Sequence, residues 1–349
     1  MYPIILKPYV SETIWGGRKL IDEYHVVTDK KNAAEGWMLS CHPAGESTVV
    51  NGEFAGQTLT EVLKRDPALC GGNAERFEDF PILIKFIDAR DDLSVQVHPT
   101  KEYCELTGRG QSKTECWYII DCDEDAHLLL GFNESISKEQ FEEAIKTNTL
   151  TDYTAKVKVK PGDFFFIESG TLHAICKGIL LAEVQESSNT TYRIYDYGRL
   201  GNDGKPRELH VADALAVTKR EKYTQPAFCK ANGLYSIGRN ELAECSLFKV
   251  WKDNVSGVFE GEAGEDSFVS LLVLSGSGSL TSCGETIELE KGSSIFLPAG
   301  SGSFILVVMT SSEEVRNKLH RYGRGRNIRN ENLTNVCSQY SKLKSRFRR

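Results

Sequence analysis

A short motif occurs twice in the chain, and it constrains the fold more than any other feature of the sequence. The first copy runs from Gly162 to His173, and the second copy, from Gly292 to Ser303, aligns with it without gaps. Each copy predicts a turn, a five-residue strand, a tight turn and a further strand, because glycines bound a run that is rich in apolar residues. The repeat therefore predicts two β units of similar design.

The order Gly, five residues, Pro, any residue, Gly, two residues, His resembles the second motif of the cupin family, whose fold is a jelly roll of two antiparallel sheets. The first copy has Glu168 in place of Pro, and the second has Ser303 in place of His. The resemblance implies two jelly-roll barrels, the second of them degenerate. Serine is a poor ligand for a borderline cation, so only the first barrel is expected to bind metal and to be catalytic.

The rest of the chain also reads mainly as strands. Apolar runs such as PILIKFIDA, LSVQVHP and GILLAEVQE are separated by Gly, Pro, Asn and Asp, a pattern typical of a mainly β protein. Helices are few and short. Two of them are predicted by capping boxes, at Thr58 with Glu61 and at Ser137 with Gln140.

With 349 residues, the chain is long enough for two domains. A polar, turn-rich stretch around residues 225–240 predicts the boundary, so residues 1–230 are expected to form a catalytic, metal-binding domain. Residues 231–310 are expected to form a second, metal-free cupin-like β domain. Residues 311–349 contain 11 Lys or Arg and 3 Asp or Glu, and this basic tail is expected to be loosely ordered.

Charge and hydropathy argue against several functional classes. Outside the tail the chain has 31 Lys or Arg and 46 Asp or Glu, and such an acidic body is not expected to bind nucleic acid. The sequence does not identify a partner for the basic tail. No apolar run approaches the roughly 20 residues of a membrane-spanning helix. Because no secretory signal pattern is present either, a cytoplasmic monomer or weak dimer with reduced cysteines is predicted.

Four side chains form a candidate metal site. Gln96 and His98 alternate onto one face of a strand, Glu115 opens the next strand, and His173 follows the glycine turn of the repeat. A Gln-x-His pair alone is weak evidence, but two imidazoles, a carboxylate and an amide oxygen suit zinc with an open position. Iron and manganese accept similar ligands. Of the other histidines, only His42, in a turn before proline, is predicted to border a cleft.

Several motifs in series resemble type I mannose-6-phosphate isomerases of the short bacterial form. They are WGG at 15–17, PILIKFIDA, SVQVHP, KTE at 113–115, GTLHAI and EVQESSNTTYRIYDYGR, and they cover roughly residues 1–310. The resemblance implies a zinc-dependent isomerase that interconverts mannose 6-phosphate and fructose 6-phosphate by proton transfer through an enediolate. It also implies one zinc ion per chain, held by Gln96, His98, Glu115 and His173.

The resemblance further implies a substrate site. Lys113 and Glu183 are expected to share the acid–base work, and Arg193 is expected to stabilise the negative charge that develops on oxygen. The residues expected to contact the substrate are Lys85 and Ser94, as a phosphate cradle, and Trp15, as a wall. The ending TTYRIYDYGR departs from a more valine-rich family pattern, so the resemblance assigns no role to basic residues beyond Arg193, such as Arg199.

Two other functions remain open at this point. A cupin dioxygenase would hold iron with similar ligands, although Gln96 argues mildly against it. A metal-binding cupin could bind sugar or sugar phosphate without turnover, as a regulatory or binding protein. The presence of Lys113, Glu183 and Arg193 favours the enzyme, and the resemblance alone selects mannose 6-phosphate among hexose phosphates.

Overall fold

The computed structural model describes residues 1–229, 233–308 and 334–340. As expected, the fold is mainly β. The first strands are β1 (Ile4–Lys7), β2 (Tyr9–Ser11), β3 (Glu35–Leu39), β4 (Cys41–His42), β5 (Gly45–Glu46), β6 (Thr48–Val49), β7 (Ile82–Ala89), β8 (Val95–Val97), β9 (Glu115–Cys122), β10 (His127–Phe132), β11 (Thr154–Lys158), β12 (Phe164–Ile167), β13 (His173–Ile175), β14 (Ile179–Glu186) and β15 (Tyr192–Tyr195).

The later strands are β16 (Gly238–Glu244), β17 (Lys249–Val255), β18 (Val258–Ala263), β19 (Val269–Ser275), β20 (Ser277–Ser282), β21 (Glu285–Glu290), β22 (Ser294–Leu297), β23 (Gly302–Val308) and β24 (Thr334–Tyr340). The helices are α1 (Lys19–Asp22), α2 (Leu59–Arg65), α3 (Lys101–Thr107), α4 (Lys138–Lys146), α5 (Leu150–Tyr153) and α6 (Val211–Val217). Short 3₁₀ turns lie at Gly52–Phe54, Pro67–Cys70 and Gly72–Ala74.

Two facing sheets form the first β-sandwich. One sheet has the order β12-β9-β14-β7-β3-β2 and the other the order β11-β10-β13-β8-β15. Trp117, Leu181, Leu128 and Ile175 belong to the apolar cluster between them. Along β14, alternate side chains face opposite sides of the sheet, so Leu180 packs in a different cluster from Leu181. Because both faces of this sheet are covered, the strand reads as a continuous apolar run.

The second β-sandwich pairs a sheet of order β16-β17-β24-β19-β22-β1-β6 with one of order β18-β23-β20-β21. Leu271, Ile295 and Phe304 lie in its apolar interior. The first strand of the chain belongs to this unit, since Ile4 pairs with Phe296. The sheet therefore crosses the boundary predicted near residue 230.

The strand β24 lies within the basic tail, between β17 and β19. The sequence analysis predicts a loosely ordered tail and no strand here, yet the segment TNVCSQY pairs along its whole length with β17. Of the predicted tail, residues 311–333 and 341–349 lie outside the described residues.

The two sandwiches pack against each other through a shared apolar layer. Phe86 and Phe166 from the six-stranded sheet join Phe296 of the seven-stranded sheet, and Phe248 just before β17, in one cluster. On the far side of the first sandwich, α4 and α6 cover the five-stranded sheet. Both predicted capping boxes are present, at the starts of α2 and α4. The first sandwich is thus enclosed by a second sheet layer and by helices.

The repeat has the predicted shape in both sandwiches. In the first, β12 and β13 flank a turn at Gly170, and in the second, β22 and β23 flank a turn at Gly300. These glycines have φ of +83° and +76°, a backbone region in which a Cβ atom is disfavoured. The observed strands β12 and β22 have four residues rather than five. Among the described residues no helix is both long and apolar enough to cross a lipid bilayer.

Candidate metal centre and substrate site

The structure brings the four predicted metal ligands together inside the first β-sandwich. Ligand atoms of His98, Glu115 and His173 all lie within 4.8 Å of one another. His98 Nε2 is 3.5 Å and His173 Nε2 is 3.6 Å from the carboxylate of Glu115. The amide nitrogen of Gln96 lies 3.3 Å from His173 Nε2. All three members of the His–Glu–His group are fully buried.

Strand pairing explains why residues distant in sequence meet here. His173 at the start of β13 is directly opposite Gln96 of β8. Glu115 opens β9, where Ile167 of β12 and Gln185 of β14 are its neighbours. His98 follows β8 two positions after Gln96, so it points to the same face.

Hydrogen bonds to the backbone fix the orientation of both imidazoles. His98 Nδ1 donates to the carbonyl of Thr190 at 2.8 Å, and His173 Nδ1 donates to the carbonyl of Thr171 at 2.9 Å. Each Nε2 therefore presents a lone pair to the centre of the group, which is the usual arrangement of a metal-binding histidine. Among the described residues, His98 Nε2 and Glu115 Oε1 have no hydrogen-bond partner, whereas Glu115 Oε2 lies 2.7 Å from Lys113 Nζ. Buried polar atoms without partners fit a bound cation.

The charges of the group also suit a cation. Burial tends to raise the pKa of Glu115, but Lys113 and then the imidazoles outweigh it and hold that pKa well below its ordinary value. Burial, aided by Lys113, lowers the pKa of His98 to about 3, and burial lowers that of His173. The site therefore offers an ionised carboxylate and two neutral imidazoles.

A row of alternating charges extends from the metal centre along the inner face of the six-stranded sheet. Lys113 Nζ lies 2.7 Å from Glu115 and 3.8 Å from Glu183. Lys85 Nζ lies 3.3 Å from Glu183 and 3.5 Å from Glu35. Both lysines are about 95% buried. Burial tends to lower the pKa of Lys85, but Glu35 and Glu183 outweigh it, so that pKa is raised and Lys85 stays charged.

Two tryptophans anchor the carboxylates of this row. The indole of Trp117 donates to Glu183 at 2.9 Å, and the indole of Trp37 donates to Glu35 at 2.6 Å. Burial, and next the charge of Glu115, raise the pKa of Glu183. One oxygen of Glu183 is thus fixed by an indole, while the other faces the two lysines.

Ser94 and Arg193 connect the other side of the metal centre to the protein surface. The Ser94 hydroxyl donates to the amide oxygen of Gln96, and Arg193 Nε donates to Ser94 Oγ, both at 3.2 Å. Trp15 lies buried in the apolar interior of the first sandwich, in the cluster that contains Ile87 and Trp117. Its role as a wall of the substrate site stays a prediction.

Comparison with known proteins places this geometry in a family. Residues 4–141 match the model of the type I phosphomannose isomerase catalytic domain, and residues 239–310 match the mannose-6-phosphate isomerase cupin domain. The chain is 40% identical over 317 residues to a protein named as a probable mannose-6-phosphate isomerase of Bacillus subtilis, covering 87% of this chain and 96% of the relative. The chain belongs to the type I phosphomannose isomerase family.

Solved structures agree with this assignment. The mannose 6-phosphate isomerase of Bacillus subtilis superposes with a TM-score of 0.80 at 31% identity, covering 97% of this chain and 99% of that chain. The Salmonella typhimurium enzyme, solved with fructose 6-phosphate and zinc, has a TM-score of 0.71 at 16% identity, covering 98% of this chain and 100% of that chain. At that identity the likeness shows the shared fold. The predicted family and cupin fold are confirmed.

Three residues of the candidate site are not predicted by the sequence analysis. Glu35 and Trp37 lie on β3, about 50 residues before Lys85, and they reach the site only because β3 pairs with β7. Trp117 lies two residues after Glu115 on the same strand, so its side chain faces the same side of the sheet as the predicted ligand. This alternation could have identified Trp117 from the sequence.

His42 borders a separate cavity, as predicted. The cavity measures about 700 Å³, and its lining also includes Lys64 and the acidic residues Glu46, Glu75, Glu78 and Asp79. The His42 ring packs edge-on against Trp37, with ring centroids 5.6 Å apart. An acidic lining repels phosphate, so this cavity does not suit the phosphate of a hexose phosphate.

Proposed function

We propose that this protein is a zinc-dependent aldose–ketose isomerase that interconverts mannose 6-phosphate and fructose 6-phosphate. The observation that carries the proposal is the buried His98–Glu115–His173 group with Lys113 beside it, 2.7 Å from Glu115. Buried polar atoms of a purely structural group normally have hydrogen-bond partners, whereas His98 Nε2 and Glu115 Oε1 have none among the residues that the structure describes. Membership of the type I phosphomannose isomerase family supports the choice of substrate.

Gln96, His98, Glu115 and His173 would hold one zinc ion. Two imidazole nitrogens, a carboxylate and an amide oxygen are ligand types that zinc accepts in catalytic sites, where one position remains open. A bound zinc ion would supply Lewis-acid polarisation of the substrate's carbonyl and hydroxyl oxygens. The zinc in the Salmonella relative supports this metal over iron or manganese.

The remaining chemistry belongs to side chains of this chain. Conversion of an aldose to a ketose removes the proton from C2, forms a C1–C2 double bond as the carbonyl electrons move onto O1, transfers the hydroxyl proton from O2 to O1, and returns a proton to C1. Lys113 and Glu183 lie 3.8 Å apart beside the metal centre, and they would share this proton transfer. Arg193, held through Ser94 next to Gln96, would stabilise the negative charge on the enediolate oxygens.

The alternative is a metal-binding cupin that binds sugar phosphate without turnover. This alternative explains the metal centre but not the row formed by Lys85, Glu183 and Lys113. Burying these three charged side chains costs free energy that a binding protein would not need to spend. Buried ionisable groups next to a metal centre are typical of a site that moves protons. The geometry therefore favours the enzyme.

A coupled assay of fructose 6-phosphate formation from mannose 6-phosphate tests the proposal. Protein stripped of metal with a chelator should be inactive, and one equivalent of zinc per chain should restore turnover. Lys113→Met should abolish turnover while leaving zinc content unchanged, because Lys113 is not itself a ligand. Stoichiometric zinc binding without any isomerisation would instead establish the non-catalytic cupin.

A further inference from the structure

Glu186, the last residue of β14, makes hydrogen bonds that the proposed reaction does not yet explain. One carboxylate oxygen, Oε1, accepts from the hydroxyl of Ser112 at 2.9 Å, and Oε2 accepts from the backbone amide of Thr114 at 2.6 Å. Both donors lie in the segment that leads into β9, and Lys113 lies between them. The side chain of Glu186 therefore holds the chain on each side of Lys113.

The hydrogen bonds at the end of the β9–β14 pair show why a side chain is used here. The register of the two strands ends where Gln185 lies opposite Glu115. One residue further, the amide of Glu186 still donates to the carbonyl of Thr114 at 3.0 Å. The Thr114 amide, however, donates to the Glu186 carboxylate, and the Glu186 carbonyl accepts from the amide of Ser188 at 2.7 Å. The carboxylate thus takes the place of a carbonyl in the last rung of the ladder.

Lys113 lies just beyond the part of the chain that regular strand pairing fixes. Residues 108–114 belong to no helix or strand. The amide of Lys113 donates to the carbonyl of Pro99 at 3.4 Å, which is long for a hydrogen bond. Its buried amine lies 2.7 Å from Glu115 and 3.8 Å from Glu183, so a small shift of the backbone would change its distance to the reacting groups.

The other hydrogen bonds from the loop after β14 reach this segment further from Lys113. The amide of Gln111 donates to Thr190 Oγ1 at 3.0 Å, and Ser188 Oγ donates to the carbonyl of Gln111 at 3.1 Å. Gln111 is two residues before Lys113. Glu186 restrains the two residues that are directly bonded to Lys113, one on each side.

Glu186 lies on the face of its strand that does not point to the metal centre. Strand alternation places Glu183 and Gln185 on one face of β14 and Glu186 on the other. Ala182 and Val184, which share the face of Glu186, belong to the apolar cluster between the two sandwiches. Glu186 is therefore placed to act on Lys113 through the backbone and not by contact with a substrate.

We propose that Glu186 is a positioning residue, which fixes the backbone on both sides of Lys113 and so keeps the Lys113 amine beside Glu183. This role rests on the proposed function, because it affects a rate only if Lys113 transfers a proton. A carboxylate suits the task, since both of its oxygens accept hydrogen bonds. Holding a reacting group in place before the substrate arrives lowers the barrier, and a misplacement of about 1 Å can reduce a rate about 100-fold.

The experiment compares Glu186→Ala with Glu61→Ala in the zinc-loaded enzyme. Glu61 is the matched control, because its carboxylate also accepts a backbone hydrogen bond, from the amide of Thr58 at 2.8 Å, but at the start of α2. We expect Glu186→Ala to lower kcat by about 10-fold or more, with KM and zinc affinity changed by less than about twofold, because only the placement of Lys113 is altered. Glu61→Ala should leave kcat, KM and zinc affinity unchanged.

An unchanged kcat in Glu186→Ala would overturn the proposal. So would a loss of zinc affinity in parallel with the loss of kcat, because it would show that Glu186 acts through the ligand Glu115. Two milder variants provide a second test if Glu186→Ala folds poorly. Glu186→Gln keeps one acceptor oxygen and Ser112→Ala removes one of the two donors, so each should lower kcat by less than Glu186→Ala does. Full activity in both would contradict the role of Glu186.

Hydrogen exchange separates a failure of this proposal from a failure of the proposed function. In Glu186→Ala, peptides that cover residues 108–114 should exchange their amide hydrogens faster than in the wild type or in Glu61→Ala, whatever the activity. A wild-type protein without turnover would refute the proposed function, while the exchange rates would still show whether Glu186 holds this segment. Unchanged exchange in an active enzyme would overturn the role of Glu186 alone.

Discussion

The two β-sandwiches repeat one strand–turn–strand motif but line their interiors with different side chains. In the first sandwich the motif ends at His173, which is buried beside Glu115, whereas the matching Ser303 of the second is exposed. The interior of the second sandwich is apolar, with Leu271 and Ile295 among its members. Burying charges costs free energy unless they are paired or bind a metal, so at the end of the motif only the first copy carries that cost.

The turns of the two copies are also tied to different neighbours. The amide of Gly170 donates to the carbonyl of His98 at 2.8 Å, so the first turn is bonded to the backbone of a candidate ligand. The amide of Gly300 donates instead to the carbonyl of Gly264 at 2.9 Å. The motif therefore positions the start of the strand that follows its turn, in both sandwiches. Whether a metal site results depends on the residue at that position and on the strand beside it.

The largest expected effect comes from changing the last residue of the motif in each copy. His173→Ala should remove bound zinc and reduce kcat/KM by about 1,000-fold or more, because metal polarisation contributes several kcal/mol in the transition state. Ser303→Ala should leave zinc content and activity unchanged, since Ser303 is exposed. Zinc content by elemental analysis and the coupled assay measure both. Zinc retained at full occupancy in His173→Ala would refute the ligand assignment.

A second prediction compares the two interiors. Leu271→Ala in the second sandwich and Leu181→Ala in the first each remove a fully buried side chain, and each should lower the free energy of unfolding by about 2–5 kcal/mol. Only Leu181→Ala should also lower kcat, because Leu181 lies two residues before Glu183 on the same face of β14. Urea unfolding gives the stability change, and kinetics below the transition give kcat. An equal fall in kcat for both variants would contradict a division of labour between the sandwiches.

Strand alternation and the repeat predict much of the candidate site from sequence. Gln96 and His98 are two residues apart on one strand, and His173 ends a motif bounded by glycines, so local patterns place three of the four ligand candidates. The ion-pair partners of Lys85 cannot be predicted in this way. Its position on β7 is clear from the apolar pattern, but Glu35 is its neighbour only through the pairing of β3 with β7, which no local pattern encodes.

The same limit applies to the fold. The sequence predicts two β units, but it does not predict that β1 pairs with β22 across almost 300 residues or that β24 joins the seven-stranded sheet. Long-range pairing depends on which sheet edges remain open after the local hairpins form, and that is a property of the whole chain. The hydrogen bond from Arg207 to Asp196 is a further case. The sequence does not show that the loop after β15 brings these two residues together.

The smallest expected effect concerns the helical layer, formed by α4 and α6, that covers the five-stranded sheet of the first sandwich. Ser137 caps α4 with a reciprocal capping box, and Ser137→Ala should lower the free energy of unfolding by about 1 kcal/mol. Thr58→Ala at the start of α2, which has the same capping box, is the matched control and should cost about as much. Urea titrations measure both, and zinc titrations should give equal affinities because neither cap touches the metal centre. A loss of zinc affinity confined to Ser137→Ala would show that the helical layer, rather than the strands alone, holds the ligands in place.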